Sequence, residues 1–111
     1  MIYHITTPAA WQAAQAAGEY TDPSLETAGF IHFSTADQLL IPANGMFHGR
    51  TDLMLLCVDE EELSGRLVYE DCYESGIRFP HLYAPLNLDA VRDVIDFPCN
   101  ADGSFSLPMG L

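Results

Sequence analysis

The chain reads as a single α+β domain over residues 1–111, with two short N-terminal helices and a split or mixed, mostly antiparallel β-sheet. Three observations point to that class. A cap residue followed by proline occurs twice before residue 30, at Thr7-Pro8 and Asp22-Pro23. Apolar, β-rich runs dominate the later chain, and no regular βαβ series is visible.

The elements follow in order. Ile2 to Thr6 alternates and is rich in β-formers, which predicts a strand. Thr7 caps a helix with Pro8 in its first turn, Ala9 to Ala17 favours helix, and Gly18 stops it. Asp22-Pro23-Ser24 starts a short helical turn ending near Gly29. Phe30 to Phe33 reads as a second strand. Ser34-Thr35-Ala36-Asp37 resembles a capping box and predicts a helix running toward Leu40 or beyond. Leu53 to Val58 is a continuous apolar run, as a fully buried central strand requires. Asp59 to Glu62 is a solvated acidic loop or helical turn, and Leu67 to Asp71 is another strand. Two prolines demote Phe79 to Pro85 to an edge or irregular strand. Val91 to Phe97 is β-rich, and Asp102-Gly103 predicts a C-terminal hairpin over about 91–107.

Composition excludes several function classes. Net charge is −12, with 16 acidic residues against 4 basic ones, all arginine. Counterion release from nucleic acid needs clustered cations, so a DNA partner is excluded and RNA disfavoured. An anionic membrane surface is disfavoured for the same reason. No signal peptide is visible, and no apolar run reaches the roughly 18 residues of a membrane span. The 3 cysteines, Cys57, Cys72 and Cys99, lack C-x-x-C spacing, which predicts reduced thiols in a cytoplasmic protein.

The candidate chemistry lies in a repeated pattern. His4-Ile5-Thr6, His32-Phe33-Ser34 and His81-Leu82-Tyr83 each place an imidazole and a hydroxyl two residues apart. On a strand, residues two apart share a face. If the three faces converge, they line a polar cleft with rings that titrate near neutral pH, suited to proton transfer or recognition of hydroxyls and amides. Glu70 is the best-placed carboxylate, either for catalysis or as an ion-pair partner for Arg78. Arg78 is the best-placed cation for an anionic ligand. Tyr20 either stacks on a ligand ring or closes the core, and Trp11 is a core residue. His48 reads as a surface-loop residue. Cys72 is no nucleophile, because Glu70 and Asp71 beside it raise its pKa. H-E-x-x-H and close His/Cys spacing are both lacking, so no metal ligands are assigned; a three-histidine zinc site remains an alternative.

The ordered segments Ile2-Tyr3-His4, Trp11-Gln12-Ala13-Ala14, Gly18-Glu19-Tyr20, Ser24-Leu25, Gly29-Phe30-Ile31-His32-Phe33-Ser34, Tyr69-Glu70 and Arg78-Phe79-Pro80-His81-Leu82-Tyr83 carry a further signal. They closely resemble the domain of unknown function 952 family of small bacterial proteins, from Ile2 to about Val91. Tyr69 stands where that family usually has tryptophan, and Ala84 where glycine is common. The family is in turn similar to the ADP-ribosyltransferase fold, a split β-sheet that clasps NAD.

That resemblance implies an ADP-ribosyltransferase-like transferase or binding domain, with NAD or an ADP-ribose-like nucleotide as ligand or cofactor. His4 would contact the nicotinamide ribose, Tyr20 or His32 would flank the nicotinamide, and His32 and His81 would orient groups or exchange protons. Glu70 is the nominee for the transferase glutamate. Arg78 would meet the pyrophosphate, with Ser34 and Tyr83 completing the nucleotide pocket. The G-F-I-H-F-S segment is also similar to the H-V-H-L-S segment of RNA 2′-phosphotransferases, whose basic residues hold phosphate; four arginines make a tRNA substrate a poor fit. The competing reading is a non-catalytic module that docks a protein or small molecule on the histidine face.

Overall fold

A computed structural model describes all residues from Met1 to Leu111. The elements are β1 (Ile2–Thr6), α1 (Pro8–Ala17), β2 (Glu19–Tyr20), α2 (Ser24–Thr27), β3 (Ile31–His32), α3 (Leu40–Met46), β4 (Met54–Val58), β5 (Leu67–Glu70), β6 (Phe79–Leu82), β7 (Leu86–Asn87) and β8 (Val91–Asp96). The strands form two three-stranded antiparallel leaves, β1-β4-β8 and β3-β6-β5, and a small β2-β7 pair. The leaves meet at one bridge, where the Tyr3 N–H donates to the Ser34 carbonyl at 2.8 Å and the Ser34 N–H returns to the Tyr3 carbonyl at 2.9 Å.

Local rules explain most of the elements. The Thr7 hydroxyl accepts from the Ala10 N–H at 3.2 Å, and Gly18 closes α1 with φ +87°. Ala10, Trp11 and Ala14 turn one face of α1 onto the core. Met54–Val58 is the central strand of its leaf, as its unbroken apolar run requires. The acidic Glu60–Glu62 forms one 3₁₀ turn capped by the Asp59 carboxylate.

Three expectations fail, each for a definite reason. The capping box does not form, because Ser34 is committed to the bridge with Tyr3. The chain turns through Thr35–Gln38 instead, with the Gln38 side chain accepting from the Thr35 N–H, and α3 starts only at Leu40. Pro42 is tolerated at the third position of α3, where an N–H would have no partner within the helix.

Phe79–Leu82 is not an edge strand but the centre of the β3-β6-β5 leaf. Pro80 fits there because it sits at the last rung facing β3. The Phe33 N–H donates to the Pro80 carbonyl at 3.0 Å, and only the reciprocal bond is lost. The predicted C-terminal hairpin is reduced to a turn. The Asn100 N–H donates to the Ser104 carbonyl, but no strand follows, and the Phe105 N–H goes to the Asn44 side chain of α3 at 2.7 Å.

Two apolar clusters cover the sheet. Ile2, Tyr20, Ile31, Phe33, Leu56, Val58, Leu82 and Leu86 pack with Ala14 of α1 on one face. Tyr3, Leu53, Leu55, Cys57, Phe97 and Phe105 pack with Leu39 and Ala43 on the other. Each fully buried aliphatic side chain contributes roughly 1.5–3 kcal/mol. The second cluster draws its strand residues from β1 and β4, with none from β3, β5 or β6, and beside it the molecule keeps a cleft.

Candidate functional site

The cleft has a volume of about 470 Å³ and runs between α3 and the sheet. Tyr3, Ile5 and Ser34 form its floor at the bridge between the leaves, Pro42, Met46 and Phe47 form the α3 wall, and His32, His81, Phe79 and Tyr73 form the opposite side. His4, Phe33, Asp22 and Ser24 complete it. The geometric expectation therefore holds for the histidines: His4, His32 and His81 all border one cleft. The elements bring them there because His32 and His81 are directly paired across β3 and β6. Their rings lie edge to face, 5.5 Å apart.

The three imidazoles occupy different environments. The Phe33 N–H points toward β6, so by alternation the His32 carbonyl points toward β1, where the leaves have parted. His4 fills that gap: its Nδ1–H donates to the His32 carbonyl at 2.6 Å. Its Nε2 lies 2.8 Å from the Tyr20 hydroxyl, which lies 2.9 Å from the Thr6 hydroxyl. His4 is thereby fully partnered and buried, and it pins the two leaves together. Asp22 stands 3.6 Å from Nε2, and its interaction with His4 holds its carboxyl well below the usual range. Burial pushes the Tyr20 hydroxyl up to about 12.

His32 is the exposed member, and its Nε2 lies 2.8 Å from the Tyr73 hydroxyl. Partial desolvation, then the proximity of His81 and His4, lowers its pKa, so the ring is neutral at neutral pH. Tyr73 is held over His32 by its loop. The Asp71 carboxylate accepts from the backbone N–H groups of Tyr73, Ser75 and Gly76 at 3.3, 3.0 and 2.7 Å.

His81 is completely buried and stacked on Phe30, with ring centres 3.9 Å apart. Its Nδ1–H donates to the Glu70 carboxylate at 3.0 Å, while its Nε2 has no partner. Tyr83 donates to the same Glu70 oxygen. Those two hydrogen bonds, the one from Tyr83 first, hold the Glu70 pKa down, and the bond to Glu70 carries the Tyr83 hydroxyl up to about 12.

Several expected placements differ. Tyr20 is 1% exposed and sits behind His4, so it closes the core and cannot stack on a ligand. Arg78 is exposed, makes no ion pair and does not line the cleft; its carbonyl accepts from the Gln38 side chain at 2.7 Å. Glu70 pairs with His81 rather than with Arg78, and with Tyr83 it stands behind the cleft wall. Ser34 does line the cleft, but as part of the bridge and not as a helix cap. The three imidazoles do not share a metal, because both nitrogens of His4 are already bonded within the protein.

Sequence reasoning missed Tyr73, Asp22 and the α3 wall. Tyr73 lies in a loop with no periodicity, and Asp22 looked only like a cap. Its carboxylate does accept from the Ser24 N–H at 3.0 Å while facing His4.

Comparison with known proteins places this geometry. Residues 5–94 match the family described as Protein of unknown function (DUF952), and the chain belongs to that family. The crystal structure of protein CC0527 from Caulobacter crescentus is 38% identical, with a TM-score of 0.85, covering 96% of this chain and 93% of that one. The solution NMR structure of CC0527 is 39% identical, with a TM-score of 0.84, covering 99% and 95%. No curated protein matches the chain. What these matches support is the α+β fold of a family of unknown function.

Proposed function

We propose that the cleft binds a small, uncharged, partly apolar molecule and exchanges a proton with it through its imidazoles. The observation that carries this reading is the convergence of His32, His81, Ser34 and Tyr73 on one cavity of ligand size, about 470 Å³, with apolar walls. His32 is the accessible contact. It is neutral at neutral pH and shares a hydrogen bond with Tyr73, so it can accept or donate. His81 stands behind it as a reserve base: Glu70 fixes the proton on Nδ1, which leaves the Nε2 lone pair free. His4 is a positioning residue, holding the carbonyl of His32.

The nucleotide form of this reading, with NAD or ADP-ribose as ligand, has less support. Asp22 is the one carboxylate on the wall and no arginine stands there, so a pyrophosphate would lack a counter-charge. A nicotinamide-sized uncharged ring suits the cleft better than the whole dinucleotide.

The test is titration of the ¹⁵N-labelled protein with nicotinamide, NAD, ADP-ribose and a panel of neutral fragments. A ligand of this class shifts the signals of His32, His81 and Ser34 and leaves His48 in place. His32→Ala weakens that binding by about tenfold or more, the loss of one good hydrogen bond at about 1.4 kcal/mol or above. If no compound perturbs these signals at millimolar concentration, or if His32→Ala binds undiminished, the reading is wrong.

A further inference from the structure

Nine residues apart in sequence, Cys72 and His81 come together in the fold, and Glu70 joins them. The Cys72 Sγ lies 3.7 Å from His81 Nδ1, Glu70 Oε1 lies 3.0 Å from the same nitrogen, and all three ligand atoms fall within 4.8 Å of one another. We propose that Glu70, Cys72 and His81 form a binding site for a zinc-class divalent cation.

The spacing suits such an ion. With zinc–sulfur bonds of about 2.3 Å and zinc–nitrogen or zinc–oxygen bonds of about 2.0–2.2 Å, a tetrahedral centre holds its donors roughly 3.3–3.6 Å apart. The two distances to His81 Nδ1, 3.7 and 3.0 Å, lie within a few tenths of an ångström of that spacing, and the third pair lies within 4.8 Å. A sulfur, an imidazole and a carboxylate together favour zinc over magnesium or calcium, which prefer all-oxygen shells. Three protein donors leave a fourth position open.

The fold supports each donor independently. Glu70 ends β5 and His81 lies on β6 beside it, a pairing fixed by four rungs of sheet. Cys72 follows two residues after Glu70, at the root of the loop that Asp71 ties down. Phe30 fixes the plane of the His81 ring, and Tyr83 orients the carboxylate from outside, the role an outer hydrogen-bond partner plays around a metal. Cys72 is exposed and gives a route of approach.

The carboxylates of Glu70 and of Asp71, next to Cys72 in the chain, attract a positive ion. The buried Nε2 of His81 has no partner. Binding at Nδ1 releases the thiol proton of Cys72 to solvent and moves the imidazole proton from Nδ1 to Nε2. The second nitrogen of His81 then becomes a donor beside the cleft, so a bound cation removes its role as the reserve base. The cation site stands whether or not the cleft binds a ligand.

Cobalt(II) titration of protein purified without a histidine tag tests this, since thiolate–cobalt charge transfer reports sulfur ligation directly. One equivalent should bind with near-ultraviolet charge-transfer bands and the visible bands of a tetrahedral ion, and zinc should displace it. Cys72→Ser is at the surface and leaves the fold intact by far-ultraviolet circular dichroism. It should abolish the charge-transfer bands and weaken zinc binding by more than the roughly 10–100-fold that loss of an outer-shell partner costs. Cys99→Ser should keep both. The absence of charge-transfer bands at millimolar cobalt, or bands that persist in Cys72→Ser, would overturn the proposal.

Discussion

Asp22 shows how one side chain ties the site to stability. Its pKa is depressed from the ordinary 3.8, first by its interaction with His4 and then by the hydrogen bonds from Ser24. As pH falls, the unfolded chain takes up the proton before the folded one does. The stabilisation is therefore complete above the ordinary carboxylate value and drains away below it, as the pH approaches the depressed folded value. Asp22→Asn should lower the denaturation midpoint at neutral pH and make the further loss of stability on acidification shallower. Urea unfolding across the carboxylate range measures both. A variant that retains the wild-type acid dependence would show that the Asp22 carboxyl does not contribute to it. This coupling was invisible in the sequence, where Asp22-Pro23 carried only a turn signal. Likewise the His-x-hydroxyl pattern located His4, yet alternation alone could not reveal that both of its nitrogens are committed to the His32 carbonyl and Tyr20.

Turns and strands give the next level. Gly65 lies in the turn before β5, and a Cβ there would meet the Ala84 Cβ far inside van der Waals contact, with the Leu82 Cδ1 at 3.3 Å. The Ala84 methyl group occupies the space that a side chain at Gly65 would need, so the methyl at one position is accommodated by its absence at the other. Gly65→Ala should destabilise the protein by about 1–3 kcal/mol through overpacking. Adding Ala84→Gly should recover most of that loss, and a double-mutant cycle by urea denaturation reads the coupling. Additive effects would refute the compensation. Elements set by local chemistry were legible from the residues alone. The Thr7-Pro8 cap, the Gly18 stop and the apolar run of β4 all stand where predicted. Those decided by a distant partner were not. Pro80 looked like an edge residue because the sequence does not show that β3 departs at that rung, and Asp102-Gly103 looked like a hairpin because it does not show Asn44 taking the Phe105 N–H.

Across the whole molecule the net charge is −12, and no helix is long and apolar enough to cross a membrane. The α+β class and antiparallel pairing were readable in advance, whereas the α3 wall of the cleft was not. It arises from where α3 packs, and α3 began later than its cap suggested because Ser34 was needed elsewhere. The two leaves share one pair of backbone hydrogen bonds, so that bridge is the thinnest backbone link in the sheet and opens locally before the strands on either side. Native-state hydrogen exchange should find the Tyr3 and Ser34 amides opening at markedly lower free energy than the Leu56 amide at the centre of β4. Equal protection at all three would mean that the leaves move as one body.

The path of the chain determines what such an opening can be. β1 belongs to one leaf and β3 to the other; β4 returns, β5 and β6 cross again, and β8 comes home. The covalent crossings act as straps, so the halves cannot drift apart or be exchanged between molecules without unthreading the whole weave. They can only rock like a hinged locket, with the His4 ring as its clasp.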